Sequence, residues 1–197
     1  MTKYDWAPGM PFLPQYGGGK SLPQVFSAPI DGAASAIPSF TDDTIFKQDK
    51  KDVFQVIALL DSSNQLKKAK ADIGQLKALE GLLDPSDATY IVHGEIPALS
   101  PDELPSVSIS NSNIIRVLGA EEYTAAGLRE TVGKLTYKRP PPLLYDSDRI
   151  RKDLGFDTRF VIVRWDRFVF ARCKDGDELS AAIAQLGQSV KRSASIH

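Results

Sequence analysis

The sequence predicts an α/β protein built around one mixed β-sheet. Three observations carry this. A short apolar run at 53–60 (VFQVIALL) is followed by an amphipathic stretch and a second apolar run at 88–93 (ATYIVH). Two more runs, 160–164 (FVIVR) and 168–172 (FVFAR), stand three residues apart. A last amphipathic stretch closes the chain. Strand, helix, strand makes a right-handed βαβ unit with parallel strands, whereas a three-residue link makes an antiparallel hairpin. Both pairings in one chain imply a mixed sheet.

The elements follow in order. Residues 1–45 are rich in Pro, Gly, Ser and Ala, with prolines at 8, 11, 14, 23, 29 and 38. Proline fixes φ and lacks an N–H, so long helices and central strands are disfavoured. The same stretch carries Trp6, Phe12, Leu13, Tyr16, Leu22, Val25 and Phe26. Such side chains predict an arm wrapped on the core, with short edge strands at 11–15 and 25–26. The run at 53–60 is apolar throughout, as in a strand buried on both faces. Asp61, Ser62 and Ser63 offer helix caps. Leu66, Ala69, Ile73, Leu76, Leu79 and Leu83 then recur at three- and four-residue spacing, which predicts a helix ending near Asp84-Pro85.

Residues 94–113 read as a connection with a short strand at 107–109, and 119–131 as a short helix. Residues 135–137 read as extended, and Pro140-Pro141-Pro142 as a stiff spacer. Ser147 is placed to cap a helix through Ile150 and Leu154, stopped by Gly155. Asp177 is placed to cap a last helix with Leu179, Ala182, Ile183, Leu186 and Val190 on one face. The resulting organisation is an arm (1–45), a domain (46–190) and a tail expected to fray (191–197). The order βαβ … ββα, with helices on both faces, is a thioredoxin-like layout.

Composition narrows function. The chain has 197 residues, net charge −1, one Cys and two His. A net charge near zero argues against a general nucleic-acid binder and against a polybasic membrane anchor. Cys173 alone permits no intrachain disulfide, CxxC pair or cysteine zinc cluster, and two histidines build no metal site. No apolar run approaches a membrane span, and the opening MTKYDWAPGM has no signal-peptide core, so a cytoplasmic setting is expected.

Few motifs carry chemistry. Gly17-Gly18-Gly19-Lys20-Ser21 resembles the end of a phosphate-binding loop, but Pro14 stands where its first glycine belongs, so a turn is expected. His93 and Glu95 follow the second strand, at the edge where open α/β sheets bind ligands. With Tyr145 and Asp146 they form the one candidate acid–base set, suited to a small cofactor-free enzyme (isomerase, cyclase or hydrolase) acting on an aromatic or polyketide intermediate. Cys173 has Lys174 to lower its pKa and Asp175 and Asp177 to raise it, and reads as a structural thiol. Around the hairpin, Trp165, Phe168 and Phe170 lie beside Arg164, Arg167 and Arg172, a mixture typical of interfaces and equally compatible with a core. With Trp6 and Phe12, the residues Arg164, Trp165, Arg167, Phe168 and Phe170 form the candidate interface.

The segments Leu144-Tyr145-Asp146-Ser147-Asp148-Arg149, Gly155-Phe156-Asp157 and 160–169 (FVIVRWDRFV) together resemble the C-terminal domain of FAD-dependent aromatic hydroxylases of the phenol 2-monooxygenase type. Trp165 stands where that family usually has Pro. Residues 6–26 are similar to the domain's opening Pro/Gly segment, and 53–60 and 90–93 to its first two core strands. The resemblance implies a thioredoxin-like fold without the redox CxxC, acting in dimerisation. It implies self-association as a homodimer or docking to a flavin monooxygenase, in aromatic or polyketide metabolism. The chain has no G-x-G-x-x-G and no FAD-binding module, so neither a cofactor nor self-sufficient hydroxylation is implied.

Overall fold

The computed structural model describes residues 12–30, 39–47, 50, 52–93, 113–125 and 145–194. Its centre is a seven-stranded mixed sheet. The strands are β1 (Phe26–Pro29), β2 (Ser39–Phe40), β3 (Phe54–Leu60), β4 (Thr89–Val92), β5 (Ile114–Val117), β6 (Phe160–Arg164) and β7 (Val169–Cys173). They lie in the order β2-β1-β5-β4-β3-β6-β7. β3 pairs parallel with β4, and β4 with β5; the other neighbours are antiparallel. The helices are α1 (Thr41–Ile45), α2 (Leu66–Gly74), α3 (Ala120–Ala125), α4 (Arg149–Leu154) and α5 (Gly176–Ala194).

All seven residues of β3 are buried. Alternation sends Phe54, Val56, Ala58 and Leu60 into a core shared with Ala69 and Ile73 of α2 and Leu179, Ala182 and Leu186 of α5. Ile57 and Leu59 point the other way, toward Ile45, Ile150 and Leu154. Helices therefore cover both faces, and a continuous apolar run is the pattern such a central strand needs.

Several boundaries differ from expectation. α2 stops at Gly74, well short of Leu83. The chain then folds back so that Leu79 and Leu83 bridge each other, with Gly81 at φ 66°. Leu82 O accepts from Phe54 N at 2.8 Å, which ties this turn to the start of β3. The leucines thus reach the core from a turn while keeping helical spacing. β5 and β2 are not among the predicted strands; they are four and two residues long. At α4 the N-cap is Asp148 and not Ser147, with Asp146 Oδ1 accepting from Asp148 N at 3.1 Å. At α5, Asp175 and not Asp177 caps: its Oδ1 accepts from Glu178 N, and Glu178 Oε2 accepts from Lys174 N. α5 continues to Ala194, into the stretch expected to fray. The expected elements at 107–109, 126–131, 135–137 and 140–142 lie outside the described residues.

The arm serves both halves of the sheet. Leu13 N donates to Phe170 O and Gly19 N to Val169 O, each at 2.9 Å, and Leu22 N donates to Arg167 O at 2.7 Å. Between them, Pro14–Tyr16 form a 3-10 turn where a strand at 11–15 is expected. Leu22 and Val25 then pack on one face of the sheet before β1 pairs with β5 on its far side. Backbone groups along the outer edge of β7 are thereby occupied, a common defence of edge strands.

Candidate functional site

The hairpin tip gathers most of the predicted interface. Trp165, Asp166 and Arg167 form the link between β6 and β7. Arg167 N donates to Arg164 O, and Arg164 N to Phe168 O, both at 2.9 Å. Arg167 takes φ 72°, the left-handed residue that a three-residue hairpin loop requires. Trp165 N donates to Val53 O at 2.8 Å, so the tip is anchored to the entry of β3.

On this rigid frame Trp165 is 63% exposed and Phe168 39%. Phe12 lies 5.9 Å from Phe168, ring centre to ring centre. The Arg164 guanidinium sits 5.3 Å from the Phe12 ring centre and 5.8 Å from that of Phe168. Arg164 also forks onto Asp166, through Nε to Oδ1 at 2.9 Å and through Nη2 to Oδ2. Burial raises the Asp166 pKa, but the Arg164 bonds and charge outweigh it and leave the carboxyl below its usual range. Arg167 pairs with Asp42 at 2.7 Å. The patch therefore exposes apolar rings, while its two arginines each face a carboxylate.

Phe170 does not belong to this surface. It is 1% exposed and meets Phe54 edge-on at 5.3 Å. Strict alternation would set Phe170 opposite Ala171, but a register irregularity between β6 and β7 puts Phe170 with Ala171 and Cys173 in the α2/α5 core, so Phe170 is a core residue. Trp6 lies outside the described residues.

The candidate acid–base set is not brought together. His93 does stand at the carboxyl edge, where its backbone N–H donates to Leu60 O at 2.7 Å. Tyr145 is in an aromatic cluster with Phe26, Phe40 and Tyr123, its hydroxyl donating to Leu118 O at 2.7 Å. Burial drives the Tyr145 pKa far above the usual phenol range. Asp146 is held at the surface by Lys152 at 2.9 Å, which lowers its pKa. Glu95 lies outside the described residues.

His93 instead shares its edge with Arg151, Asp61 and Asp148. Arg151, 3% exposed, donates through Nη1 to Thr158 O and through Nη2 to Asp61 Oδ1, both at 2.6 Å. It thereby fastens α4 to the segments after β3 and before β6. Burial first, then the Arg151 charge, pushes the His93 pKa down to about 4, against smaller raising effects of Asp148 and Asp61. His93 Nε2 and Arg151 Nε are buried without a hydrogen-bond partner among the described residues. A neutral imidazole so far below its normal range is a weak base at pH 7. The arrangement is a clamp with an enclosed neutral histidine. Sequence reasoning missed Asp61, Arg151 and Asp42 because these pairs join residues far apart in the chain.

The glycine run is packing. A Cβ on Gly18 would stand 2.2 Å from Phe170 O, and Gly17 lies against the Arg172 guanidinium. Cys173 is fully buried, and burial followed by the charges of Glu178 and Asp175 pushes its thiol up to about 12. Native protein should resist a thiol reagent such as dithionitrobenzoate over hours at pH 8, and react with one equivalent in denaturant. Fast native labelling would contradict that burial. Among the described residues no cluster of ligands could hold a metal, and no helix is long and apolar enough to cross a membrane. No family model, curated protein or solved structure matches the chain.

Proposed function

We propose that this chain is a thioredoxin-like association module without redox chemistry, and that it pairs with a second copy through the hairpin tip. The observation that carries the proposal is Trp165, 63% exposed on a tip whose backbone is fixed at both ends. Exposed tryptophan beside arginine is the composition of interface hot spots. Charge selects the partner. A twofold contact lays a patch on its own image, so uncompensated charge would repel itself. Here Asp166 and Asp42 answer Arg164 and Arg167, and the rings of Phe12, Trp165 and Phe168 remain to be covered. The strand order β3–α2–β4, then β6–β7–α5, supports the thioredoxin-like reading. A dimerising role is also what the resemblance to the hydroxylase accessory domain implies.

Sedimentation equilibrium of the full chain tests this. The wild type is expected to show a monomer–dimer equilibrium, and Trp165→Ala to weaken it by about tenfold or more. A wild type that stays monomeric overturns self-association. A wild-type dimer unaffected by Trp165→Ala moves the contact elsewhere. Monomers that bind an added flavin monooxygenase would replace the second copy by that partner.

A further inference from the structure

The early stop of α2 opens a groove away from the hairpin tip. It has a volume of about 360 Å³, within the range of small-ligand sites, and lies between the turn after α2 and one side of α5. Leu76 and Leu79 from the turn and Ile183 and Gly187 from α5 give it apolar walls. Gly187 is inside a helix whose neighbours include Ala181, Ala182 and Ala184, where glycine costs about 1 kcal/mol relative to alanine. A Cβ there would stand 3.3 Å from Leu79 Cδ2. The glycine therefore lets Leu79 pack closely against α5, and a larger side chain at 187 would push into the groove wall. Among the described lining residues Lys77 is the only charged one, and none of the ion pairs among the described residues involves it. Gln75 and Gln188 add hydrogen-bonding groups.

We propose that this groove binds an amphiphilic carboxylic acid, with its apolar tail along Leu76, Leu79 and Gly187 and its carboxylate at Lys77. Apolar walls with one cation at the rim match such a molecule in both shape and charge, and match neither a free anion nor an uncharged hydrocarbon as well.

Calorimetric titration of the full chain with decanoate, and in parallel with decanol, tests the proposal. Decanoate should bind one saturable site, more tightly than decanol. Lys77→Gln should weaken decanoate about threefold and leave decanol unchanged, as expected for one exposed ion pair. Gly187→Leu should weaken both by more than about tenfold by filling the groove. Ser180→Leu, on an exposed position of the same wall, should act likewise and covers the case that Gly187→Leu fails to fold. No saturable decanoate binding, equal affinity for decanol, or indifference to both filling variants overturns the proposal. None of these outcomes depends on self-association at the hairpin tip.

Discussion

Gly18→Ala is expected to destabilise the fold by about 3 kcal/mol, a fall in Tm of roughly 6–12 °C. The added Cβ would stand 2.2 Å from Phe170 O and 3.0 Å from Phe170 C. Both obstacles are backbone atoms of β7, so no side-chain rotation relieves the clash. Either the arm lifts or the strand bends. Lifting the arm releases the bonds from Leu13 N to Phe170 O and from Gly19 N to Val169 O, and the contact of Arg172 Nε with Gly17 O at 3.0 Å. Each is worth about 1 kcal/mol net. Gly74→Ala is the control, since a Cβ there meets nothing within 4 Å. It should be neutral or mildly stabilising. Thermal denaturation of both variants decides, and an unchanged Tm for Gly18→Ala would contradict the packing of the arm on β7.

Acid is expected to weaken the protein through His93, by about 3 kcal/mol between pH 6.5 and pH 4. Well above pH 6.5 the imidazole is neutral in both folded and unfolded chains and contributes no slope. Below it the unfolded chain takes up the proton, while burial and the Arg151 charge hold the folded pKa near 4. Stability therefore falls as pH falls through that window and levels off below it. Carboxylates with lowered pKa, such as Asp146 and Asp157, add losses of the same sign as they protonate. The difference between wild type and His93→Gln isolates the histidine: urea denaturation of the variant should show a shallower decline. An NMR titration that finds His93 protonating near pH 6.5 would contradict its enclosure.

What could be read in the sequence was whatever a long local pattern records. β3, β4, β6 and β7 are apolar runs with strong boundaries, and each lies within a residue or two of its expected place. The link at 165–167 is legible because hairpin loops have few lengths. β5 and β2 are too short for periodicity, and become strands through their neighbours. The end of α2 is hidden because Leu76, Leu79 and Leu83 keep a helical spacing while the chain turns at Gly81. At the tip the sequence leaves Trp165, Phe168 and Phe170 open between surface and core; Trp165 and Phe168 are exposed, whereas Phe170 is buried by elements distant in sequence. Asp42 beneath Arg167 leaves no local signal at all.

Self-association through the tip can be watched at the residue itself. Trp6 and Trp165 are the two tryptophans, so a Trp6→Phe chain reports on Trp165 alone. As protein concentration rises through the monomer–dimer transition, its emission should shift to the blue and acrylamide quenching should weaken. Emission that stays solvent-like while the measured mass doubles would contradict the central claim.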